Sequence, residues 1–238
     1  MPDPSLLPLL RDFDADPLLL TLRIAAVATL LALLLGVALG WVFARTRLPG
    51  RRVLEAICML PLVLPPTVLG YGILVLMGRR SAVGGWLRAH FDYTVIFNWH
   101  GAVIASALVA LPLVLKASST AFAQVDQSLE AAARTLRQSR FGVFLRVTLP
   151  LAWPGILAGT LLAFARAMGE FGASLMVAGS IPQQTQTASM AIYDAVQAGR
   201  DDVALLLVLV ISAVSVAILL MSNRLLSPLG GPRGRPQS

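Results

Sequence analysis

An apolar run from Leu18 to Ala44, interrupted by a single charge at Arg23, constrains this chain more than any other feature. A helix needs about 20 mostly apolar residues to cross the hydrocarbon core of a bilayer, and this run exceeds that. Four further runs pass the same test: Val53 to Met77, Val95 to Leu115, Val147 to Met168 and Val203 to Met221. Backbone in lipid must satisfy its own hydrogen bonds, so such runs predict helices. Composition agrees, with 57% hydrophobic residues, 13% charged and a mean hydropathy of +0.77. Soluble domains carry about 25% charged residues, so one water-exposed core cannot absorb this much apolar surface. The expected fold is an all-α integral membrane protein with about five transmembrane helices. Ala173 to Ile181 is apolar but too short to cross alone, and is expected to be re-entrant or interfacial.

The net charge of +7 would suit nucleic acid if it formed one basic face. It does not, because the basic residues sit in short segments between apolar runs. Nucleic acid is therefore excluded as a partner, and the charges read as topogenic. Arg45, Arg47, Arg51 and Arg52 follow the first run, and Lys116, Arg134, Arg137, Arg140 and Arg146 follow the third. Arg224, Arg233 and Arg235 close the chain. Positive loops stay in the cytoplasm, and five crossings put all three groups on that side. The N-terminus, with Asp3, Asp12, Asp14 and Asp16, is expected outside and the C-terminus inside. Arg79, Arg80, Arg88 and Arg200 run against the trend. Residues 1–17 lack the basic start of a cleavable signal, so the first run is expected to stay in the mature protein. Residues 227–238 are rich in Gly, Pro and Arg and are expected to be disordered.

Some chemistries are excluded early. Cys58 is the only cysteine, so no intramolecular disulfide forms, and its apolar setting reads as a small hydrophobe. His90 and His100 lack ligand spacing, and no metal site is expected. Nothing matches G-x-x-x-x-G-K-[ST], so this chain does not hydrolyse ATP itself. A membrane-embedded enzyme would need converging acid–base groups, and Arg166 with Glu170 stand alone in that respect.

Three segments carry the remaining signal. In the second run, Pro61, Pro65, Pro66, Gly70 and Gly72 predict a kinked span. Freed backbone groups must face protein or a water-filled cavity, so this span either borders a translocation pathway or carries a packing kink. Between the third and fourth runs, Asp126 or Ser128 can cap a short helix. Leu129, Ala132, Ala133 and Leu136 recur at helical spacing on one narrow face. That face suits a membrane-surface connector or a docking helix that enters a partner's groove. Glu170 follows Arg166 by four residues, which permits an ion pair serving as a gate or as a structural tie. Gly169 and Gly172 are expected to permit tight helix contact, and Arg23 to snorkel outward.

The segment from Ala123 to Ile156 resembles the EAA loop of binding-protein-dependent ABC importers, a Glu-Ala-Ala pattern, then a glycine, then Ile-x-Leu-Pro. Glu130 supplies the acidic residue, Ala132, Ala133, Arg134, Thr135 and Leu136 match the centre, and Val147, Thr148, Leu149 and Pro150 match the end. Arg137 stands at the usual glycine, and a positive φ there costs of order 1 kcal/mol. Pro61 to Gly78, Phe97 to Ala117 and Phe164 to Tyr193 are similar to molybdate permeases, and the GEFG at 169–172 is shared with sulfate permeases.

The resemblance implies a type I ABC importer permease in the bacterial inner membrane, with a membrane domain over 18–226 and a cytoplasmic coupling loop over 118–147. It implies a coupling set of Glu130, Ala131, Ala132, Ala133, Arg134, Thr135, Leu136, Arg137, Val147, Leu149 and Pro150. A pathway or gate would be formed by Pro65, Pro66, Arg166, Gly169, Glu170, Phe171 and Gly172. It further implies a permease homodimer in membrane lipid, two ATP-binding cassette subunits and a periplasmic oxyanion-binding protein. No cofactor is expected on this chain, since ATP and Mg belong to the ATPase. Molybdate is the expected cargo, with sulfate, thiosulfate or tungstate as alternatives and a secondary transporter or channel as a more distant one. If Glu130 contributes to docking, Glu130→Arg should cut transport and ATPase coupling while leaving expression intact.

Overall fold

The computed structural model describes residues 14–46 and 49–226, with side chains through Leu220. The expectations for residues 1–13, for Arg47, for the Arg224 side chain and for the tail 227–238 lie outside the described residues.

The described chain is helical throughout its elements: α1 (Asp16–Arg45), α2 (Arg51–Val63), α3 (Pro66–Met77), α4 (Ala82–Phe91), α5 (Trp99–Gln124), α6 (Gln127–Thr135), α7 (Arg140–Val143), α8 (Leu149–Met168), α9 (Gly172–Ala178), α10 (Ala188–Gln197) and α11 (Asp201–Leu226). A π-helical segment, Phe144–Thr148, joins α7 to α8. Among the described residues, four helices are long and apolar enough to cross a membrane: α1, α5, the continuous run Arg140–Met168, and α11.

The fifth expected span is not one helix. α2 and α3 are bent by 111° across Leu64 and Pro65, a break rather than the kink read from the prolines. Pro65 and Pro66 have no N–H to give the carbonyls four residues back, and Leu64 and Pro65 take the extended backbone that precedes proline. Pro66 then starts α3 at a position where the missing donor costs nothing.

Small residues let the long helices touch. A Cβ added to Gly36 would lie 2.9 Å from Val114 Cβ, and one added to Gly40 would lie 2.7 Å from Ser118 Cβ. Gly159 of α8 meets Ala117 of α5 more closely still. Lipid offers no hydrophobic drive to pair helices, so close van der Waals packing carries the association. The core follows this seam: Ile24, Ala25, Ala28 and Ala32 of α1 pack with Ala102, Ala110 and Val114 of α5 and with Ala163 and Ala167 of α8. α11 contributes little to it, and Leu205, Leu209, Val216 and Leu220 are exposed.

The short apolar stretch at 173–181 forms buried α9 and the turn after it. α9 lies against α3, where a Cβ on Gly70 would sit 2.8 Å from Met176 Cβ and one on Gly172 would sit 2.9 Å from Pro66 Cβ. Gly169 has only its own helix carbonyls nearby, so of the two glycines only Gly172 makes the expected close contact. Arg23 does not simply snorkel: its guanidinium lies 4.1 Å from the centre of the Trp99 ring, a cation–π contact that ties α1 to α5.

Candidate functional site

Asp126 opens α6, its Oδ1 accepting from the Ser128 N–H at 2.8 Å. That backbone bond, followed by the Ser128 side-chain interaction, holds the Asp126 carboxyl below its ordinary value. Beyond Asp126 the helix presents its apolar residues outward, with Leu129 48% and Leu136 77% exposed. The face read from the spacing is therefore uncovered in this chain.

Glu130 points the other way. Its Oε1 accepts from Arg45 Nη2 at 2.6 Å and from Thr148 Oγ1 at 2.7 Å. One buried carboxylate thus joins the last turn of α1, the short helix α6 and the π-helical segment that leads into α8. Sequence reading placed Glu130 at a docking surface and missed Arg45, because the two lie far apart in the chain. In a Glu130→Arg variant a second guanidinium would face Arg45, whose side chain is 14% exposed.

The helix ends at Thr135, and two residues on Arg137 has a φ of +59°, the left-handed conformation that favours glycine. The Arg137 N–H bonds to Arg134 O at 3.0 Å and closes the turn. The chain re-enters helix at Ser139, which caps α7 through the Gly142 N–H. The π-helical widening before α8 has a local cause. Pro150 has no N–H and its ring crowds the preceding turn, and the Leu149 N–H bonds five residues back to Phe144 O. Val147 and Leu149 are half-buried there, and Pro150 is exposed.

At the far end of α8, Glu170 Oε2 lies 3.0 Å from Arg166 Nη1, the i, i+4 pair expected from spacing. The Glu170 side chain is 1% exposed, and that of Arg166 35%. Glu170 Oε1 also accepts from the Ala173 N–H at 3.0 Å and so starts α9. Phe171 meets Tyr193 of α10 at a tilt, with ring centres 5.3 Å apart and planes at 51°. Pro66 meets Gly172, so the broken helix pair, the ion pair and α9 form one contiguous cluster. Pro65 sits at its edge as the elbow residue.

The turn after α9 holds a network that the sequence did not reveal. Thr185 Oγ1 donates to Gly179 O and accepts from the Ile181 N–H, both at 3.0 Å. Asp194 Oδ2 accepts from Ser180 Oγ at 2.6 Å and from Gln186 Nε2 at 2.7 Å. The Ala188 N–H bonds to Thr21 Oγ1 at 2.8 Å, which pins the start of α10 to the start of α1. The hydroxyls, amides and Asp194 were legible as residue types, but their spacing fits no single helix face.

Comparison with known proteins places this geometry. A model of the "Binding-protein-dependent transport system inner membrane component" family matches residues 26–229. The molybdenum transport system permease protein ModB of Escherichia coli K12 is 41% identical over 214 residues, covering 89% of this chain and 93% of that one. The sulfate transport system permease protein CysT of Escherichia coli K12 is 34% identical over 210 residues, covering 88% and 76%. The solved structure of an inward-facing MetNI methionine ABC transporter superposes with a TM-score of 0.69 at 17% identity, covering 97% of this chain and 100% of that one. Its fold is therefore shared. Together with a match spanning most of the sequence, these likenesses show that the chain belongs to the inner-membrane components of binding-protein-dependent transport systems.

Proposed function

We propose that this chain is the permease subunit of an ATP-driven importer and forms the pathway for a tetrahedral oxyanion, molybdate. The observation that carries the cargo is the 41% identity to the E. coli molybdenum permease across nine-tenths of the chain, against 34% for the sulfate permease. That second likeness makes sulfate the reading to test against, with tungstate sharing the same shape and charge.

The domain is 18–226, and two copies line the pathway between them. The arginine distribution sets the N-terminus outside and the loop 118–147 in the cytoplasm. Two ATPase subunits that bind ATP and Mg dock on the exposed Leu129–Leu136 face of α6. Because Glu130 grips Arg45 and Thr148, a push on α6 reaches α1 and α8 together. A periplasmic oxyanion-binding protein delivers cargo at the opposite end. The Arg166–Glu170 pair, Pro65, Pro66, Phe171 and Gly172 act as a unit at the gate. Its two states need different contacts, and the partly exposed Arg166 is the group free to change partners.

The test is ATP-dependent uptake of molybdate by the protein reconstituted with its ATPase and binding protein, with sulfate as competitor. Uptake that requires ATP and resists excess sulfate is expected. Uptake abolished by sulfate moves the cargo to sulfate, and uptake without ATP overturns the importer reading.

A further inference from the structure

We propose that the cavity between the end of α1 and the α6–α7 turn binds the headgroup of an anionic membrane phospholipid. The cavity measures about 440 Å³, and its walls include Trp41, Arg45, Arg134, Arg140 and Phe144. It carries three guanidiniums against the single carboxylate of Glu130. The Glu130 carboxylate is already paired with Arg45, and accepts from Thr148 through the same oxygen, Oε1. Arg134 and Arg140 enter no ion pair among the described residues. Arg45 Nε is buried beside the cavity with no hydrogen-bond partner among the described residues. A buried donor left open is costly, and a phosphodiester oxygen would satisfy it.

The apolar side of the cavity points to lipid as the source of that phosphate. Trp41 and Phe144 meet edge to face, with ring centres 5.8 Å apart, and Trp41 is 39% exposed. An exposed tryptophan in the last turns of a spanning helix sits at headgroup depth. Basic pockets at the cytoplasmic ends of spanning helices suit acidic headgroups, and the planar guanidinium fork matches phosphate oxygens. The excess of positive charge selects phosphatidylglycerol or cardiolipin over phosphatidylcholine, whose own ammonium would be repelled. The site goes beyond the importer reading, resting only on its placement of this end of α1 at the cytoplasmic leaflet.

Native mass spectrometry of the purified full-length protein in detergent, titrated with phosphatidylglycerol or phosphatidylcholine, tests the site. One tightly held phosphatidylglycerol per chain is expected. Arg140→Gln should weaken it about fivefold, the effect of one guanidinium near a charged headgroup, and adding Arg134→Gln about fivefold again. Arg140→Lys keeps the charge and should stay within about twofold, and it continues the test if the glutamine variant loses its helical circular dichroism. Arg200→Gln, remote from the cavity, should bind as the parent does. Unchanged affinity in Arg140→Gln and in the double glutamine variant, equal retention of phosphatidylcholine, or equal loss in Arg200→Gln would overturn the proposal. So would displacement of the lipid by inorganic phosphate that is itself retained only when Arg140 is present, because the site would then belong to a free oxyanion. Lipid binding is read without transport, so a failed uptake assay and a failed lipid assay remain distinct results.

Discussion

Replacing Glu130 by alanine tests whether this residue braces its own chain. The substitution strands Arg45, whose side chain is 14% exposed, and frees the hydroxyl of buried Thr148. Removing one partner of a fully buried ion pair costs about 3–5 kcal/mol. Water in the adjoining cavity can reach Arg45, which brings that part down to about 2 kcal/mol. The lost hydrogen bond to a charged acceptor adds about 1.5 kcal/mol. The expected destabilisation is therefore roughly 3–4 kcal/mol, read as reversible unfolding in mixed detergent and SDS micelles by circular dichroism. Arg45→Met combined with Glu130→Leu should recover about 2 kcal/mol of the summed single effects, because the paired charges leave together. Additivity within about 0.5 kcal/mol would refute the pairing. Lost transport with unchanged stability in Glu130→Ala would show that the carboxylate serves a partner instead.

Three further outcomes follow from single positions. Arg137→Gly should stabilise the chain by about 1 kcal/mol, since φ at +59° strains any side chain, and the same unfolding assay detects a failure to gain. Gly40→Val should cost about 1–3 kcal/mol by forcing α1 from α5, whereas Gly72→Ala, with nothing within 4 Å of the new Cβ, should be tolerated; equal effects would contradict the packing. The hydrogen bond from Ser128 lowers the Asp126 pKa, so its contribution to the start of α6 is complete above the unfolded value near 3.8 and fades as pH falls through the lower folded value. Hydrogen exchange over 127–135 should therefore quicken at acid pH in the parent and change less in Asp126→Asn, which caps without a titrating charge; identical profiles would remove this role.

Hydropathy made α1, α5, α8 and α11 legible, because a spanning helix needs little more than length and apolar content. It read Val53 to Met77 as one span because hydropathy counts residues without direction, and only the Pro65–Pro66 pair hinted at the break. The short helices α4 and α10 escaped notice, being too short for a period; α4 offered only its Ser81 cap at Gly84, and α10 has no side-chain cap. Within the site, local relations were readable: the Arg166–Glu170 spacing, the Asp126 cap and the misplaced side chain at Arg137. Long-range relations were not. Glu130 looked like a surface acid because its helix is otherwise exposed, and nothing near it in the chain names Arg45 as its partner. The charge of Arg45 was read for topology alone.

The elbow at Pro65–Pro66 also bears on how the chain is made. Its two arms, 13 and 12 residues long, are each too short to cross a bilayer. α3 finds its packing surface in α9, and Pro66 rests on Gly172, which emerges from the ribosome about 100 residues later. At about 5–20 residues per second, that is roughly 5–20 s of synthesis. Throughout that interval the nascent α3 has a proline-broken backbone and no α9 to cover it. A chain stalled before Gly172 would present that uncovered surface to the proteases and chaperones of the membrane, so rare codons between the two segments would lower yield without altering any residue.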